Sequence, residues 1–278
     1  LQQFQYLKPK TLNEALELID KYKKDAKILA GGTDVIVALK GNALHCKYLI
    51  DVKGIKELEG ISYSDNIGLS IGAAVTLNDV IESDKIKASQ QILVDAAKTL
   101  ANVLIRNRAT LVGNICNSSP GGDMLPASLL LEGRVCISSV NGNREIDLKD
   151  FFTGVKKNVL KENEIVTKVI YPPIQGKGIF IKKSRIKGHD LSQISVAGYL
   201  KNDGSLKFSL GAAAPTPILI ENFDNYKNKQ LAEHREIIAD RVISKINPIA
   251  DVRATKEYRL AMAKYLTCEI TKELGGGI

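Results

Sequence analysis

Near the start of the chain, apolar residues recur at helical spacing. Leu12, Ala15, Leu16, Ile19 and Tyr22 share one face of a predicted helix, and Thr11-Leu12-Asn13-Glu14 opens it as a capping box. Residues 27–30 then read as a short strand and Gly31-Gly32 as its break. Thr33 or Asp34 caps a second helix that runs to Lys40 and stops at Gly41. Tyr48-Leu49-Ile50-Asp51-Val52 is the next strand, which completes a compact β-α-β unit. Alternation over residues 67–73 predicts a strand, Thr76 starts a helix, and residues 88–101 predict a long helix with the stripe Ile92, Leu93, Ala96, Ala97 and Leu100. Thr110-Leu111-Val112-Gly113-Asn114 reads as a buried strand that breaks into the turn Asn117-Ser118-Ser119-Pro120-Gly121-Gly122-Asp123. A helix over residues 123–131 carries Pro126 in its first turn, where proline is tolerated. Asn141-Gly142 is a hairpin turn between strands at 134–140 and 145–148.

The strand at residues 166–171 ends on Pro172-Pro173, the best candidate domain boundary. Beyond it, residues 178–185, 194–201 and 206–214 read as three strands, the last two joined by Asp203-Gly204. Helices follow near 231–245 and 255–272, the second with the stripe Tyr258, Ala261, Met262, Tyr265 and Leu266. The pattern is α+β, with no internal repeat.

At 278 residues and 44% hydrophobic, the chain can bury a large core in two or three domains. Its net charge of +8 is spread along the sequence, and only 5% of residues are aromatic, with no Trp, so stacking on nucleic acid is disfavoured and a solvated basic surface is expected. Cys46, Cys116, Cys136 and Cys268 lie far apart with no Cys-x-x-Cys pair, which argues against a zinc site or an iron–sulfur cluster on this chain. Reduced thiols and a cytoplasmic location are expected. The first residues carry no signal-peptide core, and no apolar run is long enough to span a bilayer.

Two stretches are built to meet an anion. Ala30-Gly31-Gly32-Thr33-Asp34 and Thr110-Leu111-Val112-Gly113-Asn114 each hang small residues on the end of a predicted strand, where backbone N–H groups can converge on a phosphate. Neither is a Gly-x-Gly-x-x-Gly fingerprint or a P-loop. Together with Leu49-Ile50-Asp51, Ile71-Gly72-Ala73, Ile105-Arg106-Asn107, Ser119-Pro120, Asp123 with Pro126, and Asp150-Phe151-Phe152-Thr153-Gly154, they closely resemble one family. It is the FAD-binding (medium) subunits of the molybdenum hydroxylases, the group of xanthine, nicotinate and carbon monoxide dehydrogenases. Asn163-Glu164-Ile165-Val166 and Arg253-Ala254-Thr255 with Tyr258-Arg259 extend the likeness almost end to end.

The resemblance implies a two-lobed FAD-binding domain of the vanillyl-alcohol oxidase (PCMH) type, with lobe 1 at residues 1–54 and lobe 2 at 55–173. It implies a C-terminal carbon monoxide dehydrogenase flavoprotein-like domain at 174–278, a three-stranded antiparallel sheet with helices. Function follows as electron transfer in a hetero-oligomer. A large molybdopterin subunit hydroxylates the substrate, [2Fe–2S] clusters of a small subunit relay electrons, and FAD on this chain passes them to NAD⁺ or another acceptor. Xanthine-type purine hydroxylation is the first expectation for the complex, with nicotinate, aldehyde and carbon monoxide as alternatives. No catalytic acid or base, metal ligand, nucleic acid or membrane contact is expected on this chain.

Carried over by the resemblance, the first FAD segment is Ile28, Leu29, Ala30, Gly31, Gly32, Thr33, Asp34 and Val35, which meet the pyrophosphate mostly by main chain. The second is Thr110, Leu111, Val112, Gly113 and Asn114, with Ala101 close to the dinucleotide. Asp123 matches the acceptor for the adenosine ribose, Val166 the edge of the flavin or adenine pocket, and Lys182 a lysine near the isoalloxazine, with Lys157 approaching the same pocket. His189 and Asp190 fall in the segment that passes the flavin face in relatives, and Arg106 and Arg108 are expected to pair with local carboxylates.

Val112 departs from the family pattern by standing where glycine is usual, as does Ala101. A β-branched residue dislikes positive φ, so Val112 either turns inward at negative φ or loosens the site. Three other readings stay open: a scaffold that has lost FAD, a self-contained flavin enzyme, and a nucleic-acid binder.

Overall fold

The structure is a computed structural model that describes residues 3–186, 190–226 and 230–276. Strand β1 (Gln5–Leu7) leads into helix α1 (Leu12–Tyr22), whose Thr11 cap accepts a hydrogen bond from the Glu14 amide. Strand β2 (Ala26–Leu29), helix α2 (Val35–Lys40) and strand β3 (Tyr48–Asp51) complete a three-stranded parallel sheet in the order β1-β3-β2. The expected β-α-β unit is therefore present, with β1 added on the far side of β3.

A second, antiparallel sheet is built from β4 (Ile61–Ser64), β5 (Gly68–Gly72), β6 (Arg134–Ser139), β7 (Gly142–Asp147) and, after the small hairpin β8 (Phe152–Gly154) and β9 (Lys157–Asn158), β10 (Ile165–Tyr171). Its order is β4-β5-β10-β6-β7, so β10 lies at the centre, with Val169 opposite both Ile71 and Val135. Helices α3 (Leu77–Glu82), α4 (Asp84–Ser89), α5 (Gln91–Thr99), α6 (Val103–Arg106), α7 (Leu111–Asn117), α8 (Met124–Leu130) and α9 (Leu148–Phe151) fill the connections. The Thr76 capping box that opens α3 is complete, each partner bonding the other's backbone N–H.

A third sheet carries β11 (Gly176–Lys183), β12 (Ile194–Lys201), β13 (Leu206–Gly211) and β14 (Ile218–Ile220) in sequential order, all antiparallel, and is covered by α10 (Arg235–Ile243) and α11 (Lys256–Gly275). The three expected strands are joined by a short fourth that carries too few residues to give a period. Among the described residues no helix is long and apolar enough to cross a membrane. The four cysteines are free, and no described cluster of His, Cys, Asp or Glu could hold a metal ion.

Three sequence expectations are corrected. The stretch 110–114 is the start of a helix, because the Thr110 hydroxyl caps the Gly113 amide and Leu111, Val112 and Ile115 pack into the core at helical spacing. The helix expected over 88–101 breaks at Gln90, which leaves helical φ/ψ and is fully occupied, its side-chain amide donating to the Ile174 carbonyl at 2.9 Å. On α11 the expected stripe is only partly right. Leu266 is buried and Met262 packs against the core, but Tyr258, Ala261 and Tyr265 face solvent, and Arg259, Ala263, Ile270 and Leu274 complete the buried face. Thr267 and Thr271 can join that buried face because each hydroxyl donates to a carbonyl one turn back, at 2.7 Å.

Helix α8 joins the second sheet to the third. Every residue from Met124 to Leu130 is buried, and the helix lies against both the second sheet's core and strands β12 and β13. The division of the expected stripe on α11 makes a sharp prediction. In denaturant unfolding, Leu266→Ala lowers stability by about 2–5 kcal/mol, the cost of a core truncation. Tyr265→Ala stays within about 0.5 kcal/mol of wild type, as an exposed position should.

Candidate functional site

The loop after β2 turns sharply, with Gly32 at φ +77°. Its neighbour Gly31 lies flush on another part of the chain: a Cβ there would stand 2.1 Å from the Arg108 carbonyl oxygen and 2.8 Å from the Cα of Ala109. Only glycine permits that approach. The segment it touches runs straight into Thr110, so the two small-residue stretches are in backbone contact at the head of α7.

Thr110 organises that head. Its Oγ1 accepts from the Gly113 amide at 2.9 Å, its carbonyl accepts from Asn114 N at 3.0 Å, and the Leu77 amide donates to Ala109 O at 2.8 Å. Val112 is 3% exposed and helical, turned into the core, so it leaves the loop surface clear. At the other end of α7, Asn117 Nδ2 donates to Asp34 Oδ1 at 2.9 Å and ties the helix to the start of α2. Burial pushes the Asp34 carboxyl up, against the opposing pull of Lys156 and Asn117.

The turn after α7 begins with Ser118 in a left-handed conformation, φ +50°. Asn158, from β9, donates to the Cys116 carbonyl at 2.8 Å and to Ser118 Oγ at 3.1 Å, and Asn114 Oδ1 accepts from Met124 N across the turn at 3.3 Å. The turn ends on Asp123, which is buried. Lys182 Nζ, on β11, sits 2.7 Å from Asp123 Oδ2 and also donates to the Thr99 carbonyl at 3.1 Å, and Ser192 Oγ donates to Asp123 Oδ1 at 3.2 Å. Burial pushes the Asp123 carboxyl up, with Lys182 and Ser192 pulling against it. Lys182 and Asp123, expected at separate points of a cofactor, form one buried ion pair.

Beside this pair opens a groove of about 560 Å³, lined by Lys98, Thr99, Ala101, Lys182, Lys183 and Arg185. Ala101 stands at φ +47°, in the left-handed region that favours glycine. Arg106 holds it there, donating to the carbonyls of Leu100 at 3.0 Å and Ala101 at 3.4 Å rather than to a carboxylate. Arg185 pairs with Asp190 at 3.0 Å, and His189 lies outside the described residues. Val166 is buried on β10 opposite Ile137, and Lys157 is exposed on β9. Thr99 and Ser192 were not singled out in the sequence. Nothing in local spacing links them to residues 123 and 182, which only the packing of β11 on α5 and of β12 on α8 brings together.

Residues 2–174 match the family described as "FAD binding domain in molybdopterin dehydrogenase". The chain is 30% identical over 277 residues to the xanthine dehydrogenase FAD-binding subunit of Escherichia coli O157:H7, covering 96% of this chain and 94% of that one. It is 31% identical over 267 residues to the carbon monoxide dehydrogenase medium chain of Hydrogenophaga pseudoflava, covering 94% and 93%. A solved carbon monoxide dehydrogenase from H. pseudoflava, in a form lacking the Mo-pyranopterin moiety of its cofactor, superposes with a TM-score of 0.92 at 28% identity, over 99% of this chain and 98% of that one.

The ion pair yields a prediction with a pH sign. Lys182→Met leaves a buried carboxylate without its cation and costs about 3–5 kcal/mol near pH 7. The Asp123 carboxyl then titrates further above its unfolded value. A raised folded pKa favours the fold below the unfolded value and loses that advantage as pH rises through the folded one. The deficit against wild type should therefore shrink as pH falls from neutral towards about 4 and be largest above neutral. Urea unfolding across that range measures it.

Proposed function

Since the chain belongs to the FAD-binding family of the molybdopterin dehydrogenases, we propose that it is the flavoprotein subunit of a molybdenum hydroxylase complex. The observation that carries this reading is the backbone contact of Gly31 with the Arg108 carbonyl, which sets side by side the two small-residue segments taken here as the walls of the cleft. Amides of residues 31–35 and of Leu111 and Val112, which open α7, are the donors for the diphosphate of FAD, and the residues fit it. Gly31 lets the two segments meet, Val112 turns its side chain into the core, and a groove lined by Lys98, Lys183 and Arg185 opens beside Lys182.

In this reading Ile28, Leu29, Ala30 and Val35 shape the first wall, Thr110 and Asn114 brace the second, and Ala101 and Val166 border the pocket. Asp123 accepts from a ribose hydroxyl. Lys182 is assigned to the same end of the cofactor as Asp123, because the ion pair keeps the two together. That departs from the isoalloxazine placement which the resemblance implied. When bound, FAD supplies hydride and single-electron chemistry, and this chain binds it, orients it and keeps water away. The buried Val112 removes the motive for a scaffold without flavin.

We take residues 1–54 and 55–173 as the two FAD lobes and 174–278 as the C-terminal domain. The partners are a small [2Fe–2S] subunit and a large molybdopterin subunit, the acceptor NAD⁺, and the reaction xanthine-type purine hydroxylation. The xanthine dehydrogenase subunit of E. coli O157:H7 supports that substrate and the H. pseudoflava chain supports carbon monoxide, at 30% and 31% identity. Two measurements test the proposal. Titrated with FAD, the chain should bind one flavin and quench its fluorescence; an unquenched flavin contradicts the reading. In the native complex under anaerobic conditions, xanthine should bleach the flavin band and NAD⁺ restore it. Bleaching by carbon monoxide, nicotinate or an aldehyde alone would reassign the substrate.

A further inference from the structure

Among the described residues Arg259 is the largest fully buried side chain, 1% exposed, yet it lies on α11, outside both small-residue loops. Its Nη1 donates to the carbonyl of Gln193 and, at 3.3 Å, to that of Ala212, while Nη2 donates to Asp251 Oδ1 at 2.7 Å. Its Nε has no partner. A buried arginine left partly unsatisfied is costly, so what it holds is informative.

Both carbonyls sit one step from the turn that carries Asp123. The Ala212 amide donates to the Pro120 carbonyl at 2.6 Å, with Ala212 held at φ +57°, a left-handed backbone that alanine avoids unless fixed. Ser192, next to Gln193, gives its hydroxyl to Asp123 at 3.2 Å. Asp251 meanwhile binds Arg253 Nε at 2.9 Å, Arg253 Nη1 reaches the Ser192 carbonyl at 3.3 Å, and Gln193 Nε2 bonds back to the Arg253 carbonyl at 2.5 Å. One guanidinium therefore fixes the backbone beside two of the points, Ser192 and Ala212, at which the third sheet meets the turn at 118–123; Lys182 is another.

We propose that Arg259 is a positioning residue for the dinucleotide cleft, acting from α11 through Gln193 and Ala212 to set the turn and Asp123 in place, with Asp251 as its anchor. The proposal rests on the FAD reading and extends it to residues that touch no cofactor.

The test is Arg259→Lys in the full chain. Lysine keeps the charge, but its single nitrogen cannot stand both where Nη1 serves the two carbonyls and where Nη2 serves Asp251. The variant should retain a wild-type far-UV spectrum, bind FAD about tenfold more weakly, and show amide exchange at Gly122 and Asp123 faster than in the wild type while exchange in the third sheet is unchanged. In a Ser192→Ala background its effect on FAD affinity should shrink, because the contact to Asp123 is already gone. Unchanged exchange at Gly122 and Asp123, or a full additive loss in the double variant, overturns the proposal. If Arg259→Lys fails to fold, Ser192→Ala and Asp251→Asn carry the same readouts, and wild-type exchange in both overturns it. A wild-type chain that binds no FAD refutes the flavin reading instead, and the exchange measurement still decides the positioning role.

Discussion

The cleft depends on a side chain that is missing. Gly31 lies against the Arg108 carbonyl so closely that a single added carbon would overlap it, and this contact fastens the first sheet's loop to the head of α7. Everything near it is arranged to keep that approach in register. Asn117 reaches back to Asp34, Thr110 caps the amide of Gly113, and the Leu77 amide holds Ala109 from the other side. Without the contact, the two segments would be separate turns on separate sheets. With it they lie side by side, the arrangement on which the proposed diphosphate site rests.

The third sheet is fastened to this cleft by α8, and charge pairs guard both ends of the helix. At its start Asp123 meets Lys182; just past its end Glu132 meets Lys201 at 2.5 Å and Lys207 at 2.8 Å. Between those clamps the helix is wholly buried, so its apolar residues supply the adhesion and the charges supply the register. The two clamps differ in exposure. Asp123 and Lys182 are almost fully withdrawn from water and their pairing is obligatory, whereas Glu132 is open enough for solvent to screen it.

Local signals made much of this legible. The Thr11 and Thr76 caps, the Asn141-Gly142 hairpin and the glycine breaks at 31–32 all appear where the sequence puts them, because each is decided within a few residues. The errors share a cause. Thr110, Gln90 and the face of α11 are decided by partners distant in the chain: a core that wants Leu111 and Val112 at helical spacing, the Ile174 carbonyl, and a sheet that accepts threonines bonded to their own helix. At the site, the small-residue loops could be read from the sequence, whereas the pairing of Asp123 with Lys182 and the grip of Arg106 on Ala101 could not. Those contacts join residues that no periodicity relates.

The central claim is that one cleft, closed by the Gly31 contact, grips a flavin dinucleotide through bare backbone. A crystal structure of the chain grown with FAD tests it most directly. The diphosphate should lie between residues 31–35 and the first turn of α7, with amide nitrogens at hydrogen-bond distance and Val112 still in the core. Diphosphate density elsewhere on the protein, or a cleft that stays empty while FAD is bound at another place, would contradict the account.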